Sequence, residues 1–293
     1  MKAIHFYKLS TRLGMRNIPY HGNELNMGVE KGPEAILSQL FLRSLAHPFS
    51  VDGHIFPTPE STSSNYYKIL SGAYQESIQI IMDTLKPNEI QVCIGGDHSM
   101  ALTSLAARLN RTLATELGYI QFDSHGDIHQ SKTSTTGNFH GMWLRPFLDT
   151  FDIEEINTLI PNKIPTNNIL YIGNLDLENE EREYVDAHSI QVLSATELSN
   201  GHKVQQTIET FILSHPHLHV SFDIDVFDRT VAPATGTPSS DGLNVSTVLP
   251  LLTVMATHPD LSIDIVEVNP IKNGADRTIQ LAQLVLKTLL GIT

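Results

Sequence analysis

Near the middle of the chain, residues 121–129 read Gln121-Phe122-Asp123-Ser124-His125-Gly126-Asp127-Ile128-His129. Three side chains that commonly bind metal ions, Asp123, His125 and Asp127, stand at every second position. In an extended backbone, residues with this spacing project from the same face. The preceding residues 118–122 are mostly apolar and predict a buried strand, so the three side chains follow the point where that strand ends. Ligands bind at this carboxyl edge in open parallel sheets, which makes the stretch a candidate site.

Segments typical of strands and helices alternate along the whole chain. Apolar and β-branched runs predict strands at residues 3–8, 89–94, 118–122, 168–172, 190–193, 217–222 and 262–266. Helical periodicity and helix-start residues predict helices at 32–45, 61–85, 100–109, 178–187, 203–214, 246–257 and 275–290. Pro19 and Gly22 predict a loop at 17–22. The alternation predicts an α/β fold with a mostly parallel sheet and helices on both faces. Because no linker or repeat interrupts it, we expect one domain over residues 1–293.

The composition limits the classes of function that need to be considered. The 293 residues carry a formal net charge of −13, and 41% of them are hydrophobic. The negative charge argues against nucleic acid as a partner, because phosphates need a basic surface. Cys93 is the single cysteine, so an intramolecular disulfide is impossible and a thiolate metal site is not expected. The N-terminal residues lack the apolar core of a signal peptide, and no apolar run is long enough to cross a membrane. We therefore expect a cytoplasmic protein without a membrane partner.

Other polar residues follow predicted strands in the same way as the central stretch. His98 follows the strand at 89–94, Asp223 and Asp225 follow the strand at 217–222, and Glu267 follows the strand at 262–266. The carboxyl ends of parallel strands lie at one edge of a sheet, so these side chains can converge on one crevice.

The candidate ligands comprise two imidazoles and four carboxylates: His98, Asp123, His125, Asp127, Asp223 and Asp225. Four carboxylates offset the charge of two divalent cations, and one aspartate from each cluster is placed to bridge them. Paired ions of this kind stand about 3.5–4 Å apart and lower the pKa of bound water. Oxygen-rich donors favour Mn, Mg or Ca, and the two imidazoles shift the preference from Mg towards Mn, with Zn and Fe left open.

Several further residues have an ordinary structural explanation when each is considered alone. His140 is more often structural than catalytic in such a loop, and Glu267 can pair with a lysine. Cys93 is expected in the core. The alternation of histidines at 215, 217 and 219 predicts an exposed edge strand. His129 continues the alternation of the central stretch, but we place it in the pocket wall because six ligands already suffice.

Considered together, these clusters resemble the ureohydrolase family, which includes arginases, agmatinases and formiminoglutamases. The motifs that carry the resemblance span nearly the whole chain: Gly28-Val29-Glu30-Lys31-Gly32-Pro33, Gly95-Gly96-Asp97-His98-Ser99, Asp123-Ser124-His125-Gly126-Asp127, Ser221-Phe222-Asp223-Ile224-Asp225, Pro233-Ala234-Thr235-Gly236-Thr237-Pro238 and Glu267-Val268-Asn269-Pro270. Within the family, Gly137-Asn138-Phe139-His140-Gly141 is most similar to arginases.

The resemblance implies a three-layer α/β/α sandwich around an eight-stranded parallel sheet, and a homo-oligomer. It implies two Mn²⁺ ions, one held by His98, Asp123, Asp127 and Asp223, the other by His125, Asp123, Asp223 and Asp225. A hydroxide between the ions would attack a small cationic guanidino substrate and release urea, with ornithine as the second product if the substrate is L-arginine. Three residues would act in catalysis: Asp127 on the hydroxide, His140 as proton shuttle and Glu267 on the guanidinium. The implied substrate-binding residues are His129, Ser134, Thr136, Asn138, Glu178 and Thr237.

Three positions depart from the arginase pattern. His129 stands where an asparagine is common, Trp143 stands where a proline is usual, and residues 173–178 lack a usual arginine. The alternative functions are therefore an agmatinase or another guanidino-acid hydrolase. A metal-dependent deacetylase of the same architecture uses one zinc ion, and a regulator without metals would have lost ligands that are present here.

Overall fold

A computed structural model of the chain describes residues 2–15, 26–57 and 65–292. The loop predicted at 17–22 and the first residues of the helix predicted at 61–85 lie outside these ranges. The described residues contain eight strands: β1 (Ala3–Ser10), β2 (Phe49–Ile55), β3 (Glu89–Gly95), β4 (Leu117–Phe122), β5 (Ile169–Ile172), β6 (Gln191–Leu193), β7 (His217–Asp223) and β8 (Leu261–Val266). They form one sheet in the order β2-β1-β3-β8-β7-β4-β5-β6, and every neighbouring pair is parallel.

Helices connect these strands and cover the sheet. They are α1 (Gly32–Ile36), α2 (Gln39–Ser44), α3 (Tyr66–Thr84), α4 (Ala101–Leu109), α5 (Arg145–Leu148), α6 (Glu154–Asn157), α7 (Asn179–Ala187), α8 (Ala195–Leu198), α9 (Gly201–Ser214), α10 (Val245–Met255) and α11 (Ala275–Leu289). None of the described helices is long and apolar enough to cross a membrane.

Successive residues of a strand face opposite sides of the sheet, so each side has its own hydrophobic core. Ile120 and Phe122 of β4 pack with α1, α2, α9, α10 and α11, whereas Tyr119 of the same strand packs with α3 to α7. The predicted three-layer α/β/α sandwich is therefore confirmed. Cys93 lies in the second core and is fully buried, as predicted.

Two local predictions were wrong at the edge of the sheet. β2 was not predicted, because its residues alternate between exposed and half-buried positions and include Asp52 and Gly53 rather than a regular apolar pattern. The helix predicted at 32–45 is two helices. Ser38 separates them, and its hydroxyl accepts a hydrogen bond of 3.4 Å from the N–H of Phe41, which starts α2.

The prediction of an exposed edge strand at 215–219 was also wrong. β7 pairs with β4 on one side and β8 on the other, so it lies inside the sheet. His219 is fully buried, and His215 is 9% exposed. Only His217 stays half-exposed, where its Nδ1 lies 2.6 Å from Asp260. Histidines on alternate positions indicated a strand, but they did not indicate its place in the sheet.

Candidate metal centre and active site

Four strands that end at the candidate residues are direct neighbours in the sheet. β3 leads to a short 3-10 helix at His98–Met100, and β4 ends directly before Asp123. β7 ends at Asp223, and β8 ends directly before Glu267. Because the order in this part of the sheet is β3-β8-β7-β4, the four strand ends meet at one edge.

The central stretch and the end of β7 contain the same local turn. Oδ1 of Asp123 accepts a hydrogen bond of 2.7 Å from the N–H of His125. Oδ1 of Asp223 accepts one of 2.8 Å from the N–H of Asp225. An aspartate that binds the backbone two residues further on forms an Asx turn, which stabilises the chain where a strand stops. The Asp-x-His and Asp-x-Asp spacings thus fix the backbone as well as supplying ligands.

The imidazole of His98 faces three carboxylates. Its Nδ1 lies 3.1 Å from Oδ2 of Asp123, 2.9 Å from Oδ2 of Asp127 and 3.3 Å from Oδ2 of Asp223. This nitrogen is buried, yet it makes no hydrogen bond to any group in the described residues. A buried polar atom among several anionic oxygens, without a hydrogen bond, fits a position that faces a cation.

His125 gathers a second set of donors. Its Nδ1 lies 3.4 Å from Oδ1 of Asp123 and 3.2 Å from Oδ2 of Asp225. Asp123 therefore presents one oxygen to each histidine. Two donor sets, each with atoms within 4.8 Å of one another, result: His98, Asp123 and Asp223, and Asp123, His125 and Asp225. This arrangement fits two cations that share Asp123.

The electrostatics of the aspartates support the same fit. Burial and the charge of Asp123 raise the pKa of Asp127, and burial and the charge of Asp225 raise that of Asp223. Burial also raises the pKa of Asp225, although His125 opposes it. Burial acts in the same direction on Asp123, but the nearby imidazoles of His125 and His98 outweigh it and lower the pKa. Buried carboxylates are unfavourable unless paired or bound to a metal, so the site is suited to cations.

A buried hydrogen-bond chain holds His98 from behind. Nε2 of His98 lies 3.0 Å from Oγ of Ser221, whose hydroxyl donates to Oδ1 of Asp264 at 2.6 Å. Oδ2 of Asp264 in turn lies 2.7 Å from Nε2 of His219. Because the hydroxyl proton goes to Asp264, the Ser221 oxygen is free to accept from Nε2–H of His98. This leaves Nδ1 as the atom directed at the carboxylates, as is usual for histidines that bind metals.

Asp127 and Glu267 share an unusual backbone conformation. Their φ angles are 56° and 64°, in the left-handed region that residues with a side chain rarely adopt. Such strain is found where the surrounding structure holds it in place, and it is frequent at functional sites. Glu267 directly follows β8 and Asp127 lies five residues past the end of β4, and both residues line the same cavity.

Glu267 is held by hydrogen bonds on both carboxylate oxygens. Oε1 accepts from the N–H of His98 at 2.9 Å, and Oε2 accepts from Nδ2 of Asn26 at 2.7 Å. Burial, together with the charge of Asp97, raises the pKa of Glu267. A cationic ligand would therefore be favoured beside this carboxylate, because it would offset the cost of its buried charge.

His140 lies in a short 3-10 helix at Phe139–Gly141, above the candidate metal centre. The N–H groups of Phe139 and His140 both donate to the carbonyl of Gly14, at 2.6 and 3.3 Å. Burial and the nearby charges of His125 and His98 lower the pKa of His140 to about 4. The imidazole is therefore neutral at pH 7 and available to accept a proton.

These residues surround a cavity of about 620 Å³. Among the described residues, every predicted site residue lines it except Asp123, which is buried below the floor, and Asn138, which lies outside the lining. The hydroxyls of Ser134 and Thr136 line the wall and accept hydrogen bonds from the N–H groups of Gly137 and Asn138, at 3.0 and 3.1 Å. Each hydroxyl keeps its own proton for donation to another group.

His129 lies in the cavity wall within an acidic group. Its ring nitrogens lie 3.3 Å from Glu180, 3.4 Å from Glu181 and 3.8 Å from Glu178. Burial alone would lower the pKa of His129, but the hydrogen bond to Glu181 and the other glutamates raise it to about 9. The imidazole is therefore positively charged at pH 7. Oε1 of Glu178 accepts from the hydroxyl of Thr135 at 3.2 Å, which ties α7 to the loop above the cavity.

Comparison with known proteins assigns the family. A family model described as the arginase family matches residues 12–291. The chain belongs to the arginase family. An arginase from Staphylococcus aureus (strain COL) is 30% identical over 286 residues, covering 91% of this chain and 93% of the relative. An arginase from Emericella nidulans is 27% identical over 315 residues, covering 98% and 96%. These matches confirm the family and the hydrolase class that the sequence predicted.

The fold of this arginase-family chain also matches solved structures. An Entamoeba histolytica arginase, solved in complex with L-ornithine, superposes with a TM-score of 0.87 at 24% identity. The alignment covers 99% of this chain and 98% of that one.

Several residues of the site were not predicted from the sequence. Asn26 binds Glu267, and the indole of Trp143 donates to Oδ2 of Asp127 at 3.0 Å. Neither contact could be predicted from neighbouring residues. Asn26 and Glu267 are far apart in the chain, and the contact of Trp143 with Asp127 depends on a turn. Ser221 could have been found, since it alternates with His219 and Asp223 on one face of β7.

Proposed function

We propose that this arginase-family chain is a binuclear manganese hydrolase that cleaves a guanidino group to release urea. L-arginine is the proposed substrate, with ornithine as the second product. The observation that carries the proposal is the pair of donor sets that share Asp123 at the floor of a cavity bordered by Glu267.

The two ions are assigned to the donors that converge at the strand ends. His98, Asp123, Asp127 and Asp223 would hold one ion, and His125, Asp123, Asp223 and Asp225 the other. Donors that are mostly oxygen, with two imidazoles and no thiolate, support Mn²⁺. When bound, such a pair lowers the pKa of a shared water enough for nucleophilic attack near neutral pH.

Glu267 is proposed to orient the guanidinium. A carboxylate can accept two N–H groups of a guanidinium in parallel, which fixes both position and angle. The two oxygens of Glu267 are already held by His98 and Asn26, so the carboxylate needs little rearrangement before the substrate arrives. Thr237 lines the same side of the cavity and is proposed to contact the substrate. Asp127 is proposed to hold the attacking water by a hydrogen bond.

His140 is proposed to move a proton to the leaving amine. Nitrogen leaves poorly as an amide anion, so it must be protonated as the C–N bond breaks. His140 is neutral at pH 7, because its pKa is lowered to about 4, and it therefore has to accept a proton before it can donate one. A shuttle that takes the proton released by the attacking water meets this requirement.

The far end of the cavity is proposed to bind the amino acid group of arginine. Ser134, Thr136 and Asn138 are assigned to the α-carboxylate, and Glu178 to the α-ammonium. The hydroxyls of Ser134 and Thr136, which keep their protons for donation, support a substrate with a carboxylate over agmatine, which lacks one. The same observation supports a guanidino acid without an α-amino group as the second candidate.

An assay of urea release tests this proposal directly. The chain is stripped with a chelator, reloaded with Mn²⁺, Mg²⁺, Zn²⁺, Fe²⁺ or Co²⁺, and assayed with arginine, agmatine and guanidino acids. We expect Mn²⁺ to restore the highest activity and arginine the highest kcat/KM. Fully active protein with a single tightly held ion would contradict the binuclear site. Release of acetate from an acetylated amine, without urea release, would instead indicate a deacetylase.

Three further features are part of the proposal. We propose one domain over residues 1–293, because strands from the first and the last parts of the sequence lie in the same sheet. The enzyme is also proposed to be cytoplasmic and to work as a homo-oligomer. Size-exclusion chromatography with light scattering measures the assembly.

A further inference from the structure

Trp143 contacts the candidate metal centre from the protein interior, since it is fully buried and is not among the residues that line the cavity. Its Nε1–H donates a hydrogen bond of 3.0 Å to Oδ2 of Asp127. The same oxygen lies 2.9 Å from Nδ1 of His98. The indole is fully buried, and its ring centre lies 5.0 Å from that of His98. One carboxylate oxygen thus lies between the indole and the imidazole.

The backbone around Trp143 is attached to the segment that carries Asp127. The N–H of Leu144 donates to the carbonyl of Asp127 at 3.1 Å, and the N–H of His129 donates to the carbonyl of Gly141 at 3.3 Å. The guanidinium of Arg145 donates to the carbonyl of Ile128 at 2.8 Å. These contacts hold the backbone of Asp127 in its left-handed conformation. The indole N–H of Trp143, in contrast, binds the carboxylate of Asp127.

We propose that Trp143 is a positioning residue, and that its indole N–H fixes the rotation of the Asp127 carboxylate towards the metal centre. An aspartate side chain has two rotatable bonds, so a backbone clamp alone leaves the orientation of the two oxygens open. The indole N–H removes this freedom by holding Oδ2. The inference rests on the proposed metal site, because its expected effect is on metal binding.

A purely structural role for Trp143 must be separated from this one. The ring also packs on Tyr119 and Phe147, with ring centres 6.3 and 6.4 Å away. Loss of that packing would lower stability without a specific effect on the metal. Trp143→Phe keeps an aromatic ring but removes the N–H. Phe147→Leu is the matched control, since it disturbs the same cluster and leaves the hydrogen bond to Asp127 in place.

The first test is a calorimetric titration of metal-free protein with Mn²⁺. We expect Trp143→Phe to bind at least one ion about 10–100-fold more weakly, the usual effect of losing a hydrogen bond to a metal ligand. Phe147→Leu should bind as tightly as the native chain. Equal affinity in the native chain and Trp143→Phe would overturn the inference, and so would an equal loss in both variants. If the native chain itself binds no pair of ions, the proposed function fails instead.

The second test removes only the N–H. The chain has a single tryptophan, so replacing tryptophan by its benzothiophene analogue during expression alters this position alone. We expect the analogue to reproduce the weaker Mn²⁺ binding, although the shape of the ring is retained. In ¹⁵N-labelled metal-free protein, the one indole N–H signal should shift much further in Asp127→Ala, which removes its acceptor, than in Phe147→Leu, which changes only the ring packing. An unshifted signal, or native affinity with the analogue, would overturn the role of the hydrogen bond.

Discussion

The N–H of His98 donates a hydrogen bond of 2.9 Å to Oε1 of Glu267. A residue assigned to the metal centre and the residue assigned to the guanidinium are therefore joined directly. Since His98 follows β3 and Glu267 follows the adjacent β8, the sheet itself would set the distance between the proposed nucleophile and the proposed guanidinium site. A rigid scaffold of this kind allows catalysis by orientation.

Glu267→Gln should raise KM and lower kcat for the guanidino substrate. Hydrogen bonds to charged groups contribute about 1.5–3 kcal/mol, so we expect a loss of roughly 10–100-fold in kcat/KM. Steady-state urea assays at saturating Mn²⁺ measure the change. Metal content should stay native, and an unchanged KM would contradict the assigned contact with the substrate.

His140→Asn should lower kcat by about 10²–10⁴-fold, the range for a positioned acid or base. The two metal ions should remain bound, because His140 is not among the donors of either set. Elemental analysis of the purified variant, alongside its urea assay, tests both statements. Loss of an ion would show that His140 is a ligand and that its assignment as shuttle is wrong.

Asp225→Ala should weaken one ion, whereas Asp123→Ala and Asp223→Ala should weaken both. The reason for Asp123 is geometric, since its two oxygens face different histidines. Asp223 is the second proposed bridge. Calorimetric titration with Mn²⁺ resolves the two binding events. If Asp225→Ala lost both ions while Asp123→Ala retained one, the sharing of ligands proposed here would be incorrect.

Agmatine should be a poorer substrate than L-arginine, by about 10²-fold or more in kcat/KM. The hydroxyls of Ser134 and Thr136 would be left without the α-carboxylate as a partner. Glu178→Ala should reduce hydrolysis of arginine more than hydrolysis of a guanidino acid without the α-amino group. Glu178→Gln is the control, because it keeps the length of the side chain and removes only its negative charge. Equal or higher kcat/KM for agmatine or a guanidino acid would rule out arginine as the preferred substrate.

Asp260 gives a prediction for stability that is independent of the metals. Burial would raise its pKa, but the hydrogen bond and charge of Arg108, 2.7 Å away, lower it. The folded chain therefore binds this proton less readily than the unfolded chain. Its stabilising effect is present above the unfolded pKa of about 3.9 and is lost as the pH falls through the lower folded pKa.

At pH 7, Asp260→Asn should lower the free energy of unfolding by about 1 kcal/mol, since a third of the side chain is exposed and solvent weakens the pair. The difference from the native chain should shrink below about pH 3. Urea unfolding of metal-free protein at both pH values measures this. Glu183→Gln, at an exposed position in the middle of α7, is the control and should have little effect. A difference that is constant with pH would exclude the charge of Asp260 as its cause.

Local sequence patterns were sufficient to group the candidate ligands at the strand ends, but not to predict the contacts that support them. Asp123, His125 and Asp127 could be grouped because an extended chain places alternate residues on one face. The interior position of His219 could not be predicted, because strand order is set by pairing between distant segments. The contact of Trp143 with Asp127 depends on the path of a turn. The shared left-handed backbone of Asp127 and Glu267 has no signature in either residue type.

The position of β8 in the sheet has a consequence for biosynthesis. β8 follows the other seven described strands in the sequence, yet it stands between the β2-β1-β3 group and the β7-β4-β5-β6 group. Asp123, His125 and Asp225 can meet once β4 and β7 pair, but His98 stays on a separate half until residues 261–266 are inserted. Domains fold cooperatively, and strand pairs distant in sequence form slowly. A nascent chain therefore cannot bring both donor sets together until residues 261–266 have been translated.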